Sequence, residues 1–222
     1  MKPKSIGIIG GAGPLAGVLL LERVLSLSQS IYGCHKDSDF PKVFFLNFPF
    51  SEMLSSQTDV KQVRKELSGC LSQMRRNDAK ILAIACNTLH AFLDENDDKA
   101  DFIHLLKVVA KAIPSESDIP LVLCTSTSAR FGLHKRFFAC RYPDSQAQLK
   151  IDRIIDKVLK GQNQKIIIQD LLTVLQFQPE NAIILGCTEL SLFKKDLSLP
   201  SKLIIDPLEI LANKIVEKSF LN

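Results

Sequence analysis

Two segments of this chain close on the same chemistry. Residues 81–85 are an apolar run followed by Cys86-Asn87-Thr88, and residues 182–186 are another followed by Cys187-Thr188-Glu189. Each run has the length of a buried strand and ends at a thiol. The carboxyl ends of strands in a parallel α/β sheet face the ligand crevice, so such segments would hold Cys86 and Cys187 over one site. Two thiols facing one carbon suit two-base proton chemistry, in which one sulfur removes a proton and the other delivers one. That requires one member to be a thiolate. A free thiol titrates near about 8.5 and is lowered by a helix N-terminus or a cation, and both cysteines precede expected helix starts. Asn87, Thr88, Thr188 and Glu189 have no reason to sit in a core and read as ligand contacts or thiol orienters.

Other residues compete for attention. Cys124 also ends an apolar run and precedes Thr125, so the pattern alone leaves three candidate thiols; Cys34, Cys70 and Cys140 lack that context and read as structural. His90, four residues after Cys86, suits either orienting a catalytic group or capping the next turn. The run of residues 125–128 before Arg130 reads as a helix N-terminus with hydroxyl and N–H donors, or as an ordinary cap. Gly11-Ala12-Gly13-Pro14-Leu15-Ala16 satisfies GxGxxG/A between a strand and a helix. A dinucleotide site would also need an acidic residue ending the second strand, and that strand ends at Asn47. A tight turn binding a small carboxylate or phosphate through Gly11, Gly13 and the following helix N-terminus fits better. No GxSxG, HExxH or P-loop is present.

The elements that must position these residues alternate. Strands are expected at 5–9, 43–46, 81–86, 121–123, 182–186 and 203–205. Helices are expected over 15–28, 60–76, 102–112, 165–176 and 207–218, with another opened by a Ser145/Gln148 capping box and ended by Gly161. Asp206, Pro207 and Glu209 form an N-cap, N1 and N3 set. Short apolar strands between helices predict an α/β fold with parallel sheets covered on both faces. The repeated cysteine segments, roughly 100 residues apart, predict two similar lobes with the site between them.

At 222 residues and 46% hydrophobic content the chain can build a large core. A net charge of +4 spread along the chain is not a nucleic-acid footprint. The first apolar stretch is broken by Gly7, Gly10, Gly11 and Gly13, which reads as a strand rather than a signal peptide, and no run nears the roughly 18 uninterrupted apolar residues of a membrane span. A soluble cytoplasmic protein with free thiols, no membrane partner and no structural zinc is expected, since no CxxC pairing occurs.

Residues 10–14 (Gly-Gly-Ala-Gly-Pro), 85–90 (Ala-Cys-Asn-Thr-Leu-His), 186–190 (Gly-Cys-Thr-Glu-Leu) and 205–207 (Ile-Asp-Pro) together resemble the aspartate/glutamate racemase superfamily, in its aspartate racemase branch. The resemblance runs in order along nearly the whole chain. It implies two pseudo-symmetric parallel-sheet α/β lobes, formed by 1–95 with 206–222 and by 96–205, with the active site in the cleft. It also implies racemisation of a small amino acid, aspartate or glutamate, without a cofactor or metal, and a homodimer. Cys86 and Cys187 would be the bases; Asn47, Asn87, Thr88, Thr125 and Thr188 would hold the ammonium and α-carboxylate, and the last helix would pack on the first lobe.

One departure concerns substrate. Aspartate racemases often carry an arginine soon after the second strand, in a stretch like Asn-Pro-Gln-Ile-Pro-Asp-Arg; here residues 47–52 read Asn-Phe-Pro-Phe-Ser-Glu. Glutamate or a broader range of amino acids is therefore open, with Lys160 or Arg130 as replacement cations. Related isomerases of the same fold, and a small-anion or nucleotide-binding module with inert cysteines, are the alternatives.

Overall fold

β1, Ile6–Gly10, is buried at every residue and lacks polar alternation, as a central strand must be. A computed structural model describes residues 2–53, 58–94, 97, 101–114, 119–197 and 199–221. In it β1 pairs in parallel with β2 (Val43–Asn47) on one side and β3 (Ile81–Ile84) on the other, and β4 (Phe102–Ile103) completes the order β2-β1-β3-β4. A second parallel sheet follows the order β5-β6-β7, formed by Leu121–Val122, Ala182–Ile184 and Leu203–Ile205.

Helices cover these sheets through stripes that the sequence periodicity foretells. α1 (Pro14–Tyr32) has the length and composition of a membrane span, and here it lays one stripe, Ala16, Leu20 and Val24, against Ile6 and Ile8 of β1. α7 (Pro207–Phe220) packs along α1, and Ser219 donates to the Lys4 carbonyl, so the C-terminal helix returns to the first sheet. α2 (Val60–Arg76) closes the other face with Val63, Leu67, Cys70, Leu71 and Met74. Asp59 caps it by accepting from the N–H groups of Lys61 and Gln62. α3 (Leu105–Ala112) and the one-turn α4 (Ser126–Arg130) follow, then α5 (Ser145–Leu159) and α6 (Gln164–Gln176), which bury Ile151, Ile154, Ile167 and Leu171 on the second sheet. One apolar cluster runs from Ile8 and Ala83 of the first sheet to Val122 and Ile184 of the second, so the two sheets share a core.

The structure departs from the sequence reading in two places. Phe102 and Ile103 extend the first sheet instead of opening a helix, because they lie beside Leu82 and Ala83 and bury both side chains there. The α5 cap is Asp144, whose carboxylate accepts from Ala147 N–H; Ser145 is already inside the helix. Asp206 caps α7 as expected, accepting from Leu208 N–H and from the Ser191 hydroxyl while pairing with Arg23 at 2.7 Å. The lobe boundary expected between residues 95 and 96 lies outside the described residues.

Candidate active site

Strand register sets which side chains meet. β1 and β3 pair Ile9 with Ile84, and continuing that pairing puts Cys86 level with Gly11. β5 and β6 pair Val122 with Ile184, and beyond them the Leu123 carbonyl accepts from Cys187 N–H; Cys187 packs with Leu121, Leu123 and Ile183, whereas Cys124 packs with Val122 and Ile184. Since successive side chains alternate across a sheet, Cys124 faces away from Cys187. A cavity of about 190 Å³ lies at the carboxyl ends of the strands of both sheets. Its walls are residues 11–13, 50–53, 86–88 and 186–189, with Thr125 and with Ile155 and Leu159 of α5.

Cys86 and Cys187 both line it, and each follows its strand into a 3-10 turn, Thr88–Phe92 and Thr188–Asp196. Cys124 is buried beneath, where its carbonyl accepts from Gln148, and neither it nor Cys34, Cys70 or Cys140 reaches the cavity. Burial pushes the Cys86 thiol up to about 12, the Glu189 charge adds to this, and N–H donors of Thr88 and Leu89 oppose it. Burial likewise drives Cys187 well up, with Glu189 and Cys86 adding their charges. The turn donors expected from sequence are thus present, but among the protein's own groups burial outweighs them.

Glu189 lies against Cys187, and its charge reaches Cys86. Its Oε2 accepts from the Cys187 thiol at 3.3 Å and lies 3.4 Å from the Thr188 hydroxyl, while Oε1 is buried without a partner. Burial pushes its carboxyl up to about 7. The glycine turn exists for this side chain: Gly13 has φ 83°, and a methyl group there would stand 1.3 Å from Glu189 Oε1. At Gly11, with φ 102°, it would stand 2.0 Å from the Phe48 carbonyl oxygen. Space that a dinucleotide pyrophosphate would need over the N-terminus of α1 is occupied by an internal carboxyl group.

Asn87 is 1% exposed, lines the cavity, and neither its amide nitrogen nor its oxygen has a partner. Buried polar groups are nearly always paired, so this amide and Glu189 Oε1 together offer two N–H donors and two acceptor oxygens to a ligand. The hydroxyls of Thr88 and Thr188 line the cavity too but are engaged, Thr88 with Ser128 at 2.9 Å and Thr188 with the Ala85 carbonyl at 3.0 Å. The second bond ties the β6 loop to β3. Thr125 caps α4, accepting from Ser128 N–H. His90 bridges two segments: Nδ1–H donates to the Cys86 carbonyl at 2.8 Å, and Nε2 accepts from Leu105 N–H at the start of α3, not from the turn that follows it. Burial holds its basicity down, to a pKa of about 3, so it is the neutral tautomer that bridges.

Asn47 is exposed at the end of β2 and outside the cavity. Lys160 pairs with Asp156 at 2.7 Å on the outer face of α5, and Arg130 stacks over Phe131, so neither cation enters the site. The walls that sequence reading missed are residues 50–53, in a loop with no periodicity, and Ile155 and Leu159, whose apolar side chains look like any other on α5. Among the described residues no three His, Cys, Asp or Glu side chains converge as metal ligands.

Residues 9–215 match the Asp/Glu/Hydantoin racemase family. The fold is similar to that of Picrophilus torridus aspartate racemase, with a TM-score of 0.80 at 21% identity over 97% of this chain and 94% of that one. It is also similar to Thermus thermophilus glutamate racemase in complex with beta-chloro-D-alanine, with a TM-score of 0.69 at 18% identity over 97% and 80%. The broad specificity amino-acid racemase RacX of Bacillus subtilis is 22% identical over 74% of this chain, and the match spans only 64% of that relative's length. With a family match over most of its length and this fold, the chain belongs to the Asp/Glu/Hydantoin racemase family.

Proposed function

We propose that this protein is a cofactor-independent amino-acid racemase in which Cys86 and Cys187 exchange protons with opposite faces of Cα. The observation that carries the reading is the placement of these two thiols, from corresponding strand ends of two sheets, on one small cavity. At about 190 Å³ the cavity is smaller than the roughly 300–1,000 Å³ of sites for drug-sized ligands, which suits a single amino acid.

In this mechanism Glu189 Oε1 accepts from the substrate ammonium, and the Asn87 amide donates to the α-carboxylate. The ammonium also brings a positive charge beside two thiols that the protein's own groups hold protonated, which favours ionisation of one. That thiolate takes the α-proton: an S–H bond forms as Cα–H breaks, and the electron pair spreads into the carboxylate, where donors stabilise it. The other thiol then loses its proton to the opposite face of Cα. The product is the mirror image, and the sulfurs have exchanged roles. Because the thiols influence one another they titrate as a pair. His90 acts through the backbone, fixing the Cys86 turn against α3.

The test is incubation of the reduced protein in deuterated water with single enantiomers of a panel of amino acids, aspartate and glutamate included, following Cα deuteration and chirality by NMR. Deuteration with inversion supports the reading. Tight binding of an amino acid or nucleotide with no deuteration of any panel member refutes it in favour of a binding module.

A further inference from the structure

Resting on the racemase reading, we infer that the site selects an amino acid with an apolar side chain, of the leucine or methionine type, and excludes side-chain carboxylates. The two functions common to all amino acids are met by Asn87 and Glu189 Oε1. The lining also includes Phe50, Ser51, Glu52 and Met53 from the loop after β2, and Ile155 and Leu159, one turn apart on α5; Ser51 is engaged with Glu66, to which its N–H and hydroxyl donate, so Phe50, Met53, Ile155 and Leu159 supply the apolar part. These form an apolar surface that runs from buried positions, Met53 at 8% and Ile155 at 3% exposure, to the rim, where Leu159 is 44% exposed.

The charges point the same way. Among the described residues, and apart from the cysteines, the ionisable side chains lining the cavity are Glu52 and Glu189, both acidic. The whole stretch 48–59 between β2 and α2 contains no lysine or arginine. The two cations offered by the sequence are committed elsewhere, Lys160 to Asp156 and Arg130 over the Phe131 ring. A side-chain carboxylate would therefore lose water against apolar walls, beside two carboxyl groups and with no cation among the described lining residues to receive it, which disfavours it strongly. An alkyl or thioether chain gains the same walls as contacts, and a single methylene in such a pocket is worth about 10- to 200-fold in selectivity.

The experiment compares kcat/KM for racemisation of L-leucine, L-methionine, L-aspartate, L-glutamate, L-lysine and L-arginine by the full chain, with Cα deuteration recorded for each, and repeats it for Leu159→Lys. Leucine or methionine is expected to lead, with aspartate and glutamate at least about 100-fold lower. The half-exposed rim position tolerates lysine, and that variant is expected to raise kcat/KM for glutamate about tenfold through KM. Aspartate or glutamate leading would overturn the inference while leaving the racemase reading intact, and lysine or arginine leading would overturn it in favour of recognition by Glu52. No improvement for glutamate in Leu159→Lys would remove α5 from the side-chain site. Absence of deuteration in every substrate would sink the racemase reading and this inference with it.

Discussion

Replacing Glu189 by glutamine removes a charge while keeping the shape of the side chain packed against Gly13. In the folded chain burial raises the Glu189 carboxyl from its ordinary 4.5 to about 7. At about 1.4 kcal/mol for each tenfold change in proton affinity, holding this group ionised at pH 8 costs the fold about 3 kcal/mol. The folded chain binds the proton more tightly than the unfolded one. The favourable contribution is therefore complete below pH 4.5 and is lost as pH rises through about 7.

Buried histidines act in the opposite sense. Burial lowers His90 to about 3 and His134 to about 4, so both weaken the fold as pH falls below about 6.5. The raw stability curve mixes these effects, but the difference between wild type and Glu189→Gln isolates the carboxyl. Urea unfolding with linear extrapolation, measured from about pH 4.5 to about pH 8.5, is expected to show the variant gaining about 3 kcal/mol on the wild type across that range. A difference that does not change with pH would refute the placement of a buried, unpaired carboxyl oxygen beside the two thiols. The same substitution removes a charge that raises Cys86 and Cys187, so iodoacetamide should alkylate the variant faster at fixed pH.

Gly13→Ala should cost racemisation at least about 100-fold and about 1–3 kcal/mol of stability, because its methyl group would collide with Glu189 Oε1 at a backbone angle of φ 83°; steady-state rates and urea midpoints test this. His90→Ala leaves the Cys86 carbonyl and Leu105 N–H without their partner and should destabilise by about 2–4 kcal/mol. It should also lower kcat more than it alters KM, since the residue positions the Cys86 turn. Lys160→Ala, on an exposed ion pair with Asp156, should change stability by less than about 0.5 kcal/mol and leave kcat/KM unchanged.

That Cys86 and Cys187 reach the cavity was legible in part, because each thiol ends an apolar run and a parallel strand delivers the residue at its carboxyl end to the crevice. The Asp206-Pro207 cap was legible for a similar reason, being a local device whose partners lie within a few residues. Cys124 could not be told from Cys187, because which face a side chain takes depends on the register between β5 and β6, and register is a tertiary property. The glycine turn reads as a site for a small anion, whereas the group packed against Gly13 is the Glu189 side chain, a residue 176 positions later in the chain, whose Oε1 takes no hydrogen bond from the turn. Phe102 and Ile103 continue the apolar pattern of α3, and only pairing with β3 makes them a strand. The apolar walls gave no signal, since Ile155 lies on the same stripe of α5 as the core residues Ile151 and Val158.

Two-base chemistry is tested most directly with Cys86→Ser and Cys187→Ser, each given the separate enantiomers of an amino acid that the unsubstituted chain inverts, in deuterated water. Racemisation should fall at least about 1,000-fold in both variants. Each should retain Cα deuteration of one enantiomer only, and that enantiomer should differ between the two, because each surviving thiol faces one side of Cα. Racemisation at the unsubstituted rate in either variant would contradict the account.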